Sequence, residues 1–278
     1  MARPPIEPIT LGRRVGAGSF GIVHMLPHKI KGKHAVIKRP ISNSDENRKL
    51  IDSEYHILKT LVHKHIIAVL GVKELSPNSI GIILEYAAYG TLLKQIKSNS
   101  PSLKHLVRAL TCLADALCYL HDPKQNVIHM DLKAENIMRA IDSNTEKETI
   151  KLIDFGFAQK LGAILTDALG TPKYIAPEVI TASQDTPYHT MPSADVFSFG
   201  ILLAVMANGS EILFSPLLEA SGIKGLTDAV INGVRPQLSA DTPGGYVLLA
   251  QSCWQDDPSK RPPMITVYEE LQKIALTL

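Results

Sequence analysis

Cysteine is scarce in this chain: Cys112, Cys118 and Cys253 are the only three in 278 residues. They form no paired metal-ligand spacing and are too sparse for a disulfide scaffold, so core thiols in a reducing, cytoplasmic setting are expected. Long hydrophobic runs are also missing. The longest, Val196 to Ala207, is well short of the roughly 20 residues that cross a bilayer. The opening Met-Ala-Arg-Pro-Pro has neither the apolar core of a secretory leader nor the second-position glycine that myristoylation needs. A soluble chain with no membrane segment is therefore expected. Charge of one sign is not in excess either. Lys and Arg number 29 against 27 Asp and Glu, a net charge of +2, and no basic block offers a nucleic acid or membrane surface a footprint. What is present, 45% hydrophobic and 20% charged residues, is the balance of a globular protein long enough to build a sizeable core. Asn208-Gly209-Ser210 fits a glycosylation acceptor but reads better as a helix ended by glycine.

The patterning divides the chain. Up to about Glu85, short β-type runs dominate, at Arg14-Val15, Gly21 to Met25, Ala35 to Lys38, Ala68 to Val72 and Gly81 to Glu85; helical periodicity dominates beyond. The expected fold class is α+β and bilobal. A small antiparallel sheet lobe with one helix (about 9–85) precedes a larger, mainly helical lobe (about 86–278), with the boundary near Tyr86. Ser100-Pro101 reads as an N-cap with proline at the first helical position, ahead of a buried stripe from Leu103 to Leu120. Asp195 is expected to open a second helix, apolar nearly all round and central to the large lobe. Asp142 to Thr149 reads as a surface turn between two short strands.

Three glycines punctuate Gly16-Ala17-Gly18-Ser19-Phe20-Gly21-Ile22-Val23, where they would let backbone amides approach phosphate oxygens. The pattern also serves as a plain turn, and a dinucleotide site would need a helix to begin here. A strand-like run through Val23 follows instead, which favours a flap over phosphates. In Ala35-Val36-Ile37-Lys38, alternation puts Lys38 on the same face as Val36, toward the inside of the lobe. A lone lysine at a strand end is ordinarily a surface residue. The helix expected from about Asp45 to Val62 changes that reading, because Glu54 falls on its apolar face, four residues after Leu50 and four before Leu58. A carboxylate on a buried stripe needs a cation, and Lys38 is the one available.

The densest chemistry lies at His129-Met130-Asp131-Leu132-Lys133-Ala134-Glu135-Asn136, followed by Asp154-Phe155-Gly156. With the glycine flap, Lys38 and Glu54, these segments resemble the catalytic and metal-binding loops of eukaryotic protein kinases. The likeness continues through Gly170-Thr171-Pro172-Lys173-Tyr174-Ile175-Ala176-Pro177-Glu178, Asp195 to Gly200, and Cys253-Trp254 to Arg261-Pro262, nearly the whole chain.

The resemblance implies a single kinase domain (9–278) that uses ATP and Mg²⁺ to phosphorylate a protein substrate. Asp131 would accept the acceptor hydroxyl's proton, Lys133 and Lys38 would stabilise phosphate charge, and Glu54 would hold Lys38. Asn136 and Asp154 would bind the metal. The nucleotide site would comprise Gly16, Ala17, Gly18, Ser19, Phe20 and Gly21, with Val23 and Ala35 above the adenine and Met138 below it. Glu85 and Ala87 would offer backbone hydrogen bonds, and Leu84 would control access behind. Lys133 and Gly170-Thr171 look like the Ser/Thr version of the family. Thr171 is expected beside Asp131 and Lys133, and Glu178 paired with Arg261. Leu58, Val69, His129 and Phe155 match the family's hydrophobic spine.

One departure matters. The family usually has arginine where Met130 stands, and that arginine holds a phosphorylated residue of the segment from Asp154 to Glu178. Its absence points to activity independent of such a phosphate, unless Arg139 or Lys160 substitutes. The combination with Cys253-Trp254 is similar to tyrosine-kinase-like Ser/Thr kinases, including the receptor-interacting and Mos-like branches. The alternative is a pseudokinase, a nucleotide-binding scaffold without turnover. A small-molecule kinase fits less well, because Gly170 to Glu178 resembles a peptide-positioning segment.

Overall fold

A computed structural model describes residues 10–18, 21–42, 44–99, 101–142, 145–210 and 215–278. The first third builds an antiparallel sheet from β1 (Arg14–Gly18), β2 (Gly21–Met25), β3 (Ala35–Arg39), β4 (Val69–Ser76) and β5 (Ser79–Glu85), in the order β1-β2-β3-β5-β4. Helix α1 (Asp45–Leu58) is inserted between β3 and β4. Ser44 caps it by accepting from the Asn47 amide, and Asp45 and Glu46 occupy its first turn, where the helix dipole favours negative charge.

The rest is mainly helical. In chain order it contains α2 (Leu92–Asn99), α3 (Leu103–His121), β6 (Val127–Ile128), β7 (Ile137–Ile141), β8 (Glu148–Leu152), β9 (Gln159–Lys160), β10 (Ile164–Leu165), α4 (Pro177–Ile180), β11 (Tyr188–His189), α5 (Pro192–Asn208), α6 (Ser215–Ile231), α7 (Gly244–Cys253) and α8 (Met264–Thr277). The result is the expected bilobal α+β fold. Among the described residues, no helix is long and apolar enough to cross a membrane.

Several boundaries differ from expectation, each for a local reason. Helix α1 ends at Leu58 instead of Val62, because i→i−3 bonds from the Thr60 and Leu61 amides to Ile57 and Leu58 close the last turn. Helix α3 is capped by Ser102, whose hydroxyl accepts from the His105 amide, so Pro101 precedes the cap; Ser100 lies outside the described residues. Proline at the first position opens α5 at Pro192, leaving Asp195 inside its first turn. At its far end Gly209 adopts φ +62° and terminates the helix.

Helix α5 is buried from Ala194 to Met206 and forms the axis of the large lobe. Around it one core unites Leu58 of α1, Leu110 and Leu117 of α3, Phe155, Phe197 and Tyr246. Each such side chain contributes about 1.5–3 kcal/mol by leaving water. The fully buried Tyr246 hydroxyl is satisfied by the Leu203 carbonyl at 2.8 Å. A smaller cluster, Leu26, Ala35, Ile37 and Leu70, packs on the opposite face of the sheet. Cys253 is buried, and Cys112 and Cys118 are partly buried; all are free thiols.

Candidate active site

A cavity of about 900 Å³ opens between the sheet and the helical lobe. Gly16, Ala17, Gly21, Val23, Val36 and Lys38 line one side, Leu84 to Ala87 the rear, and Lys133, Asn136, Met138, Ile153 and Asp154 the other. β5 ends at Glu85, so the chain crosses between the lobes at the rear wall. The Glu85 carboxylate turns away to accept from Lys151 at 2.7 Å, Lys33 at 3.2 Å and the Ala68 amide at 3.0 Å.

Lys38 occupies the inner end. Its Nζ lies 2.7 Å from Glu54 Oε2 and 2.7 Å from Asp154 Oδ1. Helix α1 delivers Glu54 on the same face as Ile51 and Leu58, and its carboxylate also accepts from the Phe155 amide at 3.3 Å. Burial opposes the charge on Lys38, but the two carboxylates outweigh it and hold its pKa above the ordinary lysine value. Burial likewise opposes ionisation of Asp154, and Lys38 prevails, keeping that carboxyl below its usual range. Asp154 has φ +61°, a strained backbone for a residue with a Cβ. Next to it the buried Phe155 ring meets His129 edge-on, with centroids 4.8 Å apart. Leu58 belongs to the same core cluster, and Val69 packs against it.

Asp131 is held from several sides. Its Oδ1 accepts the Thr171 hydroxyl at 2.6 Å, and its Oδ2 accepts Asn136 Nδ2 at 3.0 Å and Lys133 Nζ at 2.7 Å. Lys133 also donates to the Thr171 oxygen at 2.7 Å. Asp131 is 3% exposed and does not line the cavity itself; Lys133 and Asn136, which bind it, do. The preceding turn is fixed by Asp195, whose carboxylate accepts the His129 and Met130 amides at 2.8 and 2.9 Å and lies 2.9 Å from His121 Nε2. Met130 thereby adopts φ +65° with its side chain in the core. Gly170 passes so close beneath that a Cβ would lie 2.6 Å from the Met130 carbonyl oxygen, and its φ is +118°. Glu178 and Arg261 form a two-pronged ion pair at 2.6 and 2.9 Å.

Many of the expected residues line this cavity, among them Gly16, Val23, Lys38, Glu54, Lys133, Asn136 and Asp154, while Asp131 sits behind Lys133 and Asn136 and the placement of Ala35 needs correction. Ala35 does not line it: fully buried, it joins Ile37 on the other face of β3, and Val36 takes the cavity side together with Lys38. The alternation that placed Lys38 inward already required this. Gly21 is demanded by packing, since a Cβ there would lie 2.7 Å from the Arg39 carbonyl. Gly18 ends β1 opposite Gly21, while Ser19 and Phe20 lie outside the described residues. Sequence reasoning also missed Val15, Ile67, Ile153 and Thr91, which line the cavity; for Ile153 the signal was its position directly before Asp154. The two cations considered as substitutes for an arginine at position 130 have partners elsewhere. Arg139 pairs with Glu148 at 2.6 Å, and Lys160 donates to the Gln125 carbonyl at 2.8 Å.

Known proteins are similar to this chain in sequence. A protein from Acanthamoeba polyphaga mimivirus, whose name carries the words serine/threonine-protein kinase/receptor, is 34% identical over 273 residues, covering 96% of this chain and 15% of its own length. One from Dictyostelium discoideum, named as the serine/threonine-protein kinase drkA, is 31% identical over 97% of this chain and 40% of its own length. Serine/threonine-protein kinase STY17 of Arabidopsis thaliana is 28% identical over 97% of this chain and 45% of itself. The chain thus spans less than half the length of these relatives. The family model described as "Protein kinase domain" matches residues 9–271, and the chain belongs to the protein kinase domain family.

Proposed function

We propose that this chain transfers the γ-phosphoryl group of ATP to a Ser or Thr hydroxyl of a protein substrate, and that residues 9–278 act as one kinase domain. The observation carrying this reading is the juxtaposition of two charge-holding centres. Asp131 is oriented by Thr171, Lys133 and Asn136, and Lys38 is pinned between Glu54 and Asp154 at the inner end of the cavity. The apolar walls, Val15, Val23, Val36, Leu84, Met138 and Ile153, suit a flat base, and the inner ammonium suits phosphate.

Asp131 accepts the proton of the acceptor hydroxyl as its oxygen bonds to the γ-phosphorus and the bond to the β-phosphate oxygen breaks, leaving the electron pair on ADP. Lys133, beside Asp131, stabilises charge on the transferring group, and Lys38 does so for the phosphates behind it. Magnesium fits the donor set: Asn136 turns its amide nitrogen to Asp131, leaving its carbonyl oxygen, and Asp154 supplies carboxylate oxygen, both hard ligands. When bound, the metal would neutralise phosphate charge.

The Ser/Thr preference rests on Lys133, on its bond to Thr171, and on the names of the relatives. Met130 together with Cys253-Trp254 and Arg261-Pro262 supports the tyrosine-kinase-like group. With Met130 in the core, activity does not depend on an arginine before Asp131. The free thiols suit a reducing, cytoplasmic compartment. A peptide-array assay with ATP and Mg²⁺, comparing wild type with Asp131→Asn, tests the reading. Loss of nearly all turnover in the variant is expected; indistinguishable turnover would overturn the mechanism, and no turnover in either protein would leave a nucleotide-binding scaffold.

A further inference from the structure

We propose that Thr190 is the positioning residue that holds the middle of the segment between Asp154 and Thr171 in its working geometry, without a covalent phosphate. This rests on the kinase reading above and assigns it a built-in means of ordering the segment.

Thr190 is fully buried, and all three of its polar groups go to one short turn. Its hydroxyl donates to the Lys160 carbonyl at 2.7 Å, its amide donates to the Ala163 carbonyl at 2.9 Å, and its carbonyl accepts from the Gly162 amide at 2.8 Å. The turn is closed by the Ala163 amide on the same Lys160 carbonyl at 3.1 Å and is shaped by Gly162 at φ +78°. On one side of it, β9 pairs with β6, matching Lys160 with Val127 and Gln159 with Ile128. On the other, β10 pairs with β11, matching Ile164 with His189 and Leu165 with Tyr188. Residues 159–165 are therefore stitched to the strand entering the catalytic loop and to the stretch entering α5.

Two residues after Thr190, Pro192 begins α5, whose Asp195 fixes the His129 and Met130 amides. The start of one buried helix thus orients both the loop carrying Asp131 and the segment carrying Thr171. In a chain whose Met130 offers no charge to a phosphate, the Thr190 hydroxyl supplies a neutral anchor. Without that hydroxyl the Lys160 carbonyl keeps the Ala163 amide, and the turn is held to Thr190 by two backbone bonds in place of three contacts.

The test compares Thr190→Ser, which keeps the hydroxyl, with Thr190→Val, which keeps the shape, in the full chain treated with phosphatase. Thr190→Val is expected to lower kcat about three- to tenfold with KM for ATP unchanged, and to speed hydrogen exchange at the Gly162 and Ala163 amides. Thr190→Ser is expected to restore both. Equal kcat and exchange in the two variants would overturn the proposal, as would a wild-type enzyme whose kcat collapses on phosphatase treatment. Should Thr190→Val not fold, exchange in the wild type decides: Gly162 and Thr190 amides no better protected than those of Asp167 and Ala168 would refute the anchor. A wild type without any phosphoryl transfer would instead sink the kinase reading, while the exchange comparison still reports on Thr190.

Discussion

Substituting the partners of Lys38 tests whether its hub is one coupled unit. Glu54 is 1% exposed, and its carboxylate reaches both Lys38 and the Phe155 amide. Glu54→Gln keeps an acceptor oxygen, and Lys38 retains Asp154 at 2.7 Å, so a charge-assisted bond becomes a neutral one at a cost of about 1–1.5 kcal/mol. Lys38→Met is harsher. It leaves two carboxylates, with side chains 1% and 21% exposed, facing the same space without a cation, which costs about 3–5 kcal/mol. In the double variant the two losses should fall short of their sum by about 1–3 kcal/mol. Urea unfolding measures this, followed by far-UV circular dichroism and by fluorescence of Trp254, the single tryptophan, so that separate unfolding of the lobes is visible. A larger loss for Glu54→Gln than for Lys38→Met, or additivity within about 0.5 kcal/mol, would refute the reasoning.

Two further outcomes follow from buried charge. Burial, then Lys64 and His63, push His65 from the ordinary 6.5 down to about 4 despite Asp115, and Thr149 hydrogen-bonds its Nδ1. The unfolded chain then takes up this proton first, so stability should fall as pH drops from 6.5 toward about 4; an equally steep fall in His65→Asn, measured by urea midpoints across that range, would exclude His65 as the cause. Glu178→Gln strands the Arg261 guanidinium, whose side chain is 0% exposed, although the Gln255 and Ser193 carbonyls still accept from it. A loss of about 3 kcal/mol is expected, and a midpoint within about 0.5 kcal/mol of wild type would show that the pair contributes little.

Some of the site was readable from spacing. Glu54 announces itself because a helix repeats its faces every three to four residues, so a carboxylate in register with Leu50 and Leu58 must point inward. The same logic, applied strictly to β3, would have chosen Val36 over Ala35, since strand faces alternate. Helix ends were read less well. Ser102 and Pro192 are capping choices among several nearby candidates, and which one wins depends on where packing against the rest of the lobe sets the helix.

What the amino-acid order determined by itself is which faces are apolar, where charge must find a partner, and the sequence of loops that carry Lys38, Asp131 and Asp154. Only the tertiary structure decided which distant groups meet. Lys38 reaches Asp154 across 116 positions, and Thr190 reaches back 30 to clamp Lys160. No local periodicity encodes such bonds, because a hydroxyl or an ammonium looks the same in sequence whether it faces water or a buried oxygen. The assembled core removes the water and leaves buried oxygens as the partners within reach.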